Sequence, residues 1–377
     1  MDYSVEVMKI IEGAIKLDKD KVIAYTNLLS DKLENDGEIK LSQRFRKIIN
    51  VQREKKGQLR ETSIGDVLKV PIDQESRLPI ADVVYPESED NNVILNKNID
   101  DEIKRFITYY ENSDKLINEG FSSPNSILLY GPPGCGKSKL ARYLSSIVKL
   151  PLVIVRLDGI ISSFLGSTSK NIRAIFEYAQ RVPCVLFLDE FDAIAKVRDD
   201  NNELGELKRV VNSLLQNIDG LKCGSLIIAA SNHEHLLDPA VWRRFNFRLK
   251  VDYPDYFSRK LLIKNFLKNK YKEDSEELDI ISAMFKGLSG AAIEEICTSA
   301  LMDSIIKEED LTMRCVANHF FNYIDLFKSI NIENITEKEL EKLKVTYLRE
   351  IDSKIFSYAC IGRIINRSKS HVSNLLK

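Results

Sequence analysis

The residues best suited to chemistry form a glycine-rich loop, Gly131-Pro132-Pro133-Gly134-Cys135-Gly136-Lys137-Ser138. Residues 126–130 before it are apolar and predict a buried strand, and residues 140–144 after it predict the start of a helix. A loop of this spacing between a strand and a helix is typical of a nucleotide phosphate site. Glycine lets the backbone approach a phosphate, and the amides of the helix start face the anion. We expect Lys137 to neutralise phosphate oxygens and Ser138 to offer its hydroxyl to Mg²⁺.

A second candidate element is the apolar run 185–188, which ends in two carboxylates, Asp189 and Glu190. Carboxylates at the end of a buried strand are costly unless they meet a cation or a proton. Asp189 is predicted to bind Mg²⁺, and Glu190 to orient and deprotonate an attacking water. The alternative is an acidic strand end that faces solvent.

Polar residues after a fourth apolar run supply further candidates. Asn232 can hold the same water against the γ-phosphate, although Asn in this position is often only a turn residue. Arg243 and Arg244 form a pair that can stabilise charge on a transferring phosphoryl group. Their alternative role is a surface pair bonded to acidic neighbours.

Composition restricts the class of protein. The 377 residues include 55 Lys and Arg against 56 Asp and Glu, so no charge field over the whole chain argues for nucleic acid or a membrane. Six scattered cysteines, without C-x-x-C spacing, fit a reducing cytoplasm better than a disulfide framework. No secretory leader is recognised, and no apolar run approaches the ~20 residues of a membrane helix. We therefore expect a cytoplasmic protein with no membrane partner.

The chain divides into five predicted regions. Residues 1–53 predict a small helical domain, either a packing bundle or a module that docks a partner, and residues 54–90 predict a linker. Residues 91–252 alternate apolar runs with amphipathic helices, which predicts an α/β domain whose five-stranded parallel sheet has helices on both faces. The last run, 247–251, alternates apolar with basic residues and suits an edge strand. Helical patterns follow in a predicted lid, 253–330, and in a last segment, 331–377.

Taken together, these motifs resemble those of AAA+ ATPases, more narrowly the AAA-proper clade, over residues 91–306. Residues 131–138 match Walker A, 185–190 Walker B, Asn232 sensor 1, and Arg243 and Arg244 the arginine fingers. The resemblance implies a P-loop AAA+ fold, ATP and Mg²⁺ as ligands, ATP hydrolysis, and a homo-hexameric ring whose fingers reach the neighbouring subunit. Gly290 and Ala291 match the small residues of this clade at the sensor-2 helix. Cys135 and Ser138 stand where Thr is commoner, and neither change should abolish hydrolysis.

A short motif after the second apolar run bears on the substrate. Phe164-Leu165-Gly166 resembles the first pore loop of AAA protein unfoldases, which implies a polypeptide substrate; the alternative is a loop aromatic tucked into the core. Three further stretches, 73–79, 162–166 and 206–212, resemble bacterial AAA ATPases encoded beside a subtilisin-like serine protease. That resemblance implies a separate protease as partner and a role in phage defence or plasmid incompatibility. No protease constellation occurs in this chain.

The carboxyl-terminal tail predicts a helix-turn-helix. Ile361, Ile364 and Ile365 form an apolar face, and Ser368 is a suitable N-cap for a last helix. From Ser353 onward the tail has five Lys or Arg and no Asp or Glu, which suits a phosphate backbone. The candidate DNA contacts on the outer face are Lys369, Ser370, His371 and Asn374. A helical cap or a protein-docking module is the alternative. Two functions compete: an ATP-driven motor that threads or unfolds polypeptide, and a DNA-associated AAA+ switch.

Overall fold

The computed structural model describes residues 3, 7–11, 19–36, 38, 42, 71–73, 77, 79–87, 93–121, 124–156, 165–195, 204–221, 224–271, 275–324 and 336–376. The chain divides into two units, Met1–Val70 and Pro71–Lys377. In the first unit, residues 7–11 are helical and α1 spans Lys19–Asn35, where Leu29 and Leu33 are buried. Between residues 37 and 70, which include the rest of the predicted helical domain, the structure describes only Glu38 and Ser42.

The second unit is built on a six-stranded sheet. Its strands are β1 (Ala81–Val84), β2 (Ser126–Tyr130), β3 (Leu152–Val155), β4 (Val185–Leu188), β5 (Leu226–Ser231) and β6 (Phe247–Lys250). They lie in the order β1-β3-β4-β5-β2-β6. The five strands from β2 to β6 are mutually parallel, so the carboxyl ends of β2, β4 and β5 meet at one edge of the sheet. Ligands of open parallel sheets bind at that edge.

The predicted five-stranded parallel sheet is wrong by one strand. Strand β1 lies within the predicted linker and runs antiparallel to β3, with Ala81 opposite Val155 and Val84 opposite Leu152. Its four residues lie between Pro79 and Pro86, a context that usually marks a loop but that an edge strand tolerates. The sheet is therefore mixed. All five predicted strands are present, as β2 to β6.

Burial explains the position of each strand. Strands β4 and β5 are apolar and wholly buried, as central strands covered on both faces must be. In β6, Phe247 and Leu249 are buried while Arg248 and Lys250 are exposed, and this strand forms the opposite edge from β1. The prediction that 247–251 is an edge strand is thus confirmed.

Helices cover the sheet. In chain order they are α2 (Lys97–Glu111), α3 (Ser113–Asn118), α4 (Lys137–Val148), α5 (Leu165–Arg181), α6 (Asp192–Ala195), α7 (Leu204–Asp219) and α8 (Pro239–Trp242). Helices α2 and α4 pack on one face, where Phe106 and Leu140 join a core that includes Ile127 and Ile228. Leu128, which points to the other face of β2, is also fully buried. No helix within the described ranges is long and apolar enough to cross a bilayer.

The remaining helices share a second hydrophobic core. They are α9 (Tyr256–Phe266), α10 (Glu276–Met284), α11 (Gly290–Ile306), α12 (Met313–Tyr323), α13 (Glu337–Ile351), α14 (Tyr358–Ile365) and α15 (Lys369–Leu375). Ile263, Ile293 and Phe320 from the predicted lid pack in one cluster with Phe356 and Val372 from the last segment. The predicted boundary at residue 330 therefore separates helices that bury one common core.

The tail itself contains two short helices joined by a tight turn. Asn366 ends α14 in the left-handed region, at φ 59°, and Ser368 caps α15 by accepting a hydrogen bond from the His371 amide, as predicted from the sequence. The tail is tied to α13 through Glu341, which accepts from Arg367 Nε at 2.5 Å. Its other oxygen, Oε2, lies 2.7 Å from His371 Nε2.

We expect Glu341→Gln to destabilise the protein by about 1–3 kcal/mol at pH 7, because Glu341 is the buried, charged acceptor of the contacts with Arg367 and His371 and a neutral amide holds them less strongly. Burial opposes ionisation of Glu341, but hydrogen bonds from His371 and Arg367 outweigh it, so the pKa of the carboxyl lies below its usual value. A depressed pKa stabilises the fold above the unfolded-state pKa, about 4.3, and that contribution is lost as the pH falls through the folded value. The difference between variant and wild type in urea unfolding should therefore shrink below about pH 4.

The matched control is Glu337→Gln. Glu337 also pairs with Arg367, at 2.9 Å, but its side chain is 79% exposed. An exposed pair contributes about 0–1 kcal/mol, so this variant should stay close to wild type at every pH. Equal losses in the two variants would show that Glu341 does not anchor the tail.

Candidate functional site

The glycine-rich loop connects β2 to α4 and has the geometry of a cradle. Gly131, Gly134 and Gly136 all have positive φ, at 138°, 72° and 98°. A Cβ on Gly131 would lie 2.3 Å from the Val251 carbonyl oxygen, so the loop packs directly against the end of β6. Glycine is thus required here by the protein's own packing as well as by the approach of a phosphate.

Lys137, the first residue of α4, points back into the loop. Its Nζ donates to the carbonyl oxygens of Gly131 and Pro132, each at 2.8 Å, and the residue is 6% exposed. Burial lowers the pKa of this ammonium below its usual value. The printed hydrogen bonds of this ammonium go to neutral carbonyls, so its positive charge at the loop suits a phosphate.

Ser138, Asp189 and Glu190 come together at the carboxyl ends of β2 and β4. Ser138 Oγ donates to Asp189 Oδ2 at 3.0 Å, although 51 residues separate them. The Glu190 amide donates to Asp189 Oδ1 at 2.9 Å, and Glu190 itself lies in the left-handed region at φ 50°. A non-glycine residue held there is strained, and such strain is found where a side chain must be aimed.

Asn232 is fixed by a residue that the sequence analysis did not single out. Asp192 Oδ1 accepts from Ser231 Oγ at 2.9 Å and from the Asn232 amide at 3.2 Å. The Phe191 amide also donates to the Ala230 carbonyl at 2.8 Å. The segment after β4 is thereby tied to the end of β5, and Asn232 lines the same cleft as Glu190.

The lid helix α11 begins directly on the loop. The Ala291 amide donates to the Gly134 carbonyl at 3.0 Å, and Ser289 caps the helix. A Cβ on Gly134 would lie 2.8 Å from Ser289 Oγ and 3.1 Å from Ala291 Cβ. Lys139 also pairs with Glu294 of this helix at 3.0 Å. Gly290 and Ala291 therefore lie at the loop, where the resemblance places the sensor-2 helix.

Residues 133–139 of the loop and α4, the ends of β4 and β5, and the start of α11 line one cleft of about 440 Å³. Its polar end holds Lys137, Ser138, Asp189, Glu190 and Asn232. Its other end is apolar and was missed by the sequence analysis; the apolar side chains there are Val93, Ile94, Leu95, Leu262 and Phe266. Cys135 also lines the cleft, and burial raises the pKa of its thiol. A polar phosphate end and an apolar base end match the two halves of a nucleotide.

The two arginines lie outside the cleft, and no arginine is among its lining residues within the described parts of the chain. They follow α8, which is held by packing of Trp242 on Tyr130, with ring centroids 5.0 Å apart. Arg244 pairs with Asp219 at 2.9 Å. Arg243 is exposed and forms no ion pair with any residue that the structure describes. Among the described residues, Arg244 therefore has an acidic partner and Arg243 has none.

Comparison with known proteins agrees with this geometry. The family described as "ATPase family associated with various cellular activities (AAA)" matches residues 127–253. An uncharacterized AAA family ATPase of Sinorhizobium fredii is 40% identical over 235 residues, which are 62% of this chain and 70% of that protein. The chain belongs to the AAA family of ATPases. As a member, it hydrolyses ATP.

Other relatives of this AAA ATPase are larger. The ATP-dependent zinc metalloproteases FtsH of Metamycoplasma arthritidis and Halothermothrix orenii are each 30% identical, over 233 and 219 residues. The matches cover 60% and 56% of this chain, and 31% and 35% of the two relatives. The chain therefore spans about a third of the length of these FtsH proteins.

The remaining predicted residues fall into two groups. Phe164 lies outside the described residues, and Leu165 and Gly166 open α5 in the backbone, with side chains that are not described. In the tail, Lys369, Ser370 and Asn374 are exposed, whereas His371 is held against Glu341. The His371 side chain is nevertheless 41% exposed, so its predicted contact with DNA stays a prediction.

We expect Asp192→Ala to reduce ATP turnover about tenfold while ATP affinity changes little, because a displaced Asn232 would hold the water poorly. Steady-state turnover and binding of a fluorescent ATP analogue separate the two effects. Ser231→Ala is the milder control, since it leaves the contact between Asp192 and the Asn232 amide in place. Equal turnover in Asp192→Ala and wild type would remove Asp192 from the site.

Proposed function

We propose that this AAA ATPase forms a ring, a hexamer by resemblance to its clade alone, and uses ATP hydrolysis to thread or remodel a polypeptide. The ring is proposed because the residues needed for hydrolysis lie in two separate places on one subunit. The cleft holds the groups that bind and activate, while Arg243 is exposed outside it. A second subunit that brings Arg243 to the cleft of the first would complete the site. The two FtsH relatives support protein as the substrate class.

Within one cleft, each side chain has a separate task in ATP hydrolysis. Lys137 and the loop amides bind the β- and γ-phosphates, and the helix start of α4 faces the same charge. Glu190 accepts the proton of the attacking water, while Asn232 holds that water in line. The apolar end binds the adenine. Arg243 of the neighbour stabilises the charge that develops on the γ-phosphoryl group.

Mg²⁺ fits the oxygen donors at the polar end. Ser138 Oγ and Asp189 Oδ2 lie 3.0 Å apart beside Lys137, and hydroxyl and carboxylate oxygens are the protein ligands that Mg²⁺ accepts alongside phosphate. We infer that Ser138 and Asp189 hold the ion. When bound, it would neutralise charge on the phosphate oxygens.

The residues proposed to contact the polypeptide are Phe164, Leu165 and Gly166. They lie between β3 and the body of α5, in the sequence that resembles a pore loop. An aromatic side chain beside a glycine can contact polypeptide of any sequence, which a non-selective motor requires. A separate subtilisin-like serine protease as partner, and a role in phage defence, are proposed on the narrower resemblance alone.

Binding of DNA by the tail is the second candidate. The two helices and their turn favour it, together with exposed Lys369, Ser370 and Asn374. The charges disfavour it, because Arg363 pairs with Glu276 at 2.5 Å and Arg367 with Glu337 and Glu341. Cations that are already neutralised add little to phosphate binding. We therefore propose polypeptide, rather than DNA, as the substrate.

The test is the steady-state ATPase rate, titrated separately with an unfolded polypeptide and with duplex DNA, in wild type and in Phe164→Ala. Stimulation by polypeptide that vanishes in Phe164→Ala supports threading. Stimulation by DNA that is unchanged in Phe164→Ala would overturn it and make the tail the functional end. A Lys369→Ala variant then reports whether that DNA response depends on the exposed tail charge.

A further inference from the structure

The apolar end of the nucleotide cleft is built partly from two stretches that lie far apart in the sequence. Residues 93–96, directly before α2, form one of them. The other is the stretch 251–255, which joins β6 to α9 and which we call the lid connection; Val251, Asp252 and Pro254 in it line the cleft. Contacts between the two stretches therefore affect the shape of this end of the cleft.

Asn96 joins the two stretches through both atoms of its side-chain amide. Its Nδ2 donates to the Tyr253 carbonyl oxygen at 3.2 Å, and its Oδ1 accepts from the Asp255 amide at 3.0 Å. A third hydrogen bond joins residue 95 to α9, because Ser258 Oγ donates to the Leu95 carbonyl oxygen at 3.2 Å. The partners are 157 to 163 residues apart in the sequence, so these contacts form only in the folded protein.

The position of Asn96 makes this use of its side chain informative. Asn96 is the N-cap residue of α2, a position where an asparagine side chain commonly accepts a hydrogen bond from the first amides of its own helix. It makes no such bond here. The side chain contacts the lid connection instead of stabilising α2, which indicates a role in the cleft rather than in the helix.

The lid connection is in turn attached to the lid. Asp255 caps α9 by accepting a hydrogen bond from the Ser258 amide at 2.8 Å. The Arg259 guanidinium, on a residue that is 7% exposed, donates to the Pro254 carbonyl oxygen at 2.9 Å and to the Ser282 carbonyl oxygen at 2.7 Å. The lid connection is therefore held by two helices of the lid, α9 and α10.

We propose that Asn96 is a positioning residue for nucleotide binding, which holds residues 93–95 at the spacing from the lid connection that fits adenine. The inference rests on the proposed placement of adenine at the apolar end of the cleft. The side-chain hydrogen bonds of Asn96 go to the lid connection, whereas hydrolysis is assigned to Lys137, Glu190 and Asn232 at the polar end. Asn96 therefore affects how tightly ATP is bound and not how fast bound ATP is hydrolysed.

Steady-state kinetics of the full-length protein test this through the separate values of KM and kcat. We expect Asn96→Ala to raise the KM for ATP about tenfold and to leave kcat within about twofold of the wild type, because only the apolar end is loosened. Binding of a fluorescent ATP analogue should weaken by the same factor. An unchanged KM would overturn the proposal. A loss of kcat as large as the rise in KM would also overturn it, because the polar end would then depend on Asn96 as well.

Asn96→Ser separates this role from capping of α2. Serine is as suitable an N-cap as asparagine, but its single, shorter hydroxyl cannot reach both the Tyr253 carbonyl and the Asp255 amide. We therefore expect KM to rise as in Asn96→Ala, and a wild-type KM in Asn96→Ser would overturn the proposal. The matched control is Asn112→Ala, the same substitution at the start of α3, where the residue does not line the cleft. It should change neither KM nor kcat.

Ile94→Ala tests the placement of adenine by itself. Ile94 is half-buried and lines the same end of the cleft, so the loss of its side chain should also raise KM if adenine lies there. A rise in Ile94→Ala without a rise in Asn96→Ala would overturn the positioning role and leave the placement of adenine intact. An unchanged KM in Ile94→Ala would overturn the placement, and the positioning role with it.

Discussion

Glu190→Gln is expected to lower ATP turnover about a thousandfold while ATP still binds. The amide keeps the size of the side chain and its place after Asp189, but it cannot accept the proton of the attacking water. Steady-state turnover gives the loss, and equilibrium binding of ATP shows that the cleft is intact. Because ATP is retained, assembled rings should persist longer in ATP than those of the wild type.

The matched control for this prediction is Glu294→Gln. Glu294 of α11 also lines the cleft, but it pairs with Lys139 of α4 at 3.0 Å. It has no proposed role in activating the water. The same chemical change should there cost only a few-fold in turnover, since an exposed pair contributes about 0–1 kcal/mol. Normal turnover in Glu190→Gln would remove Glu190 from its catalytic role.

The second large effect is expected in Arg243→Ala, which should lower ATP turnover about a thousandfold at unchanged ATP affinity. Arg243 is not among the residues that line the cleft of its own subunit, and the proposed ring brings it to the site of a neighbour. Arg244→Ala should lose less, because Arg244 is already paired with Asp219 within the subunit. Loss of ATP binding in Arg243→Ala would instead indicate a structural arginine.

Mixing two inactive variants tests the shared site directly. In a ring of Glu190→Gln and Arg243→Ala subunits, an Arg243→Ala subunit keeps its own Glu190 and receives Arg243 from a Glu190→Gln neighbour. Turnover should therefore recover on mixing, although each variant alone is inactive. A mixture as inactive as its components would contradict a site completed between subunits.

Local signals in the sequence were sufficient for much of the site. Gly131, Lys137 and Ser138 lie within eight consecutive residues, so a strand, a loop and a helix start could be predicted from their spacing. The apolar and basic alternation of β6 likewise gave its edge position, and Ser368 gave the start of α15. Each of these depends on neighbours in the chain rather than on distant contacts.

Long-range pairs were not predictable in the same way. Strand β1 has four residues and forms only because β3, some 70 residues later, offers an edge. Asp73 finds Asn171 across 98 residues, and His371 finds Glu341 across 30. The apolar residues 93–95 carry no sequence signal of a binding role. They line a cleft only because the fold places residues near β6 and in α9 beside them. Side-chain pairing of this kind depends on the assembled fold and leaves no periodic pattern in the sequence.

The central claim is that hydrolysis in this cleft performs work on a polypeptide, and the most direct measurement is unfolding itself. A stably folded fluorescent protein with an unstructured tail is incubated with the ATPase and ATP, and its fluorescence is followed beside a trap that binds unfolded chains. We predict ATP-dependent loss of fluorescence in the wild type and none in Glu190→Gln or Phe164→Ala. Fluorescence that is lost equally in Phe164→Ala, or that persists in the wild type while ATP is consumed, would contradict the account.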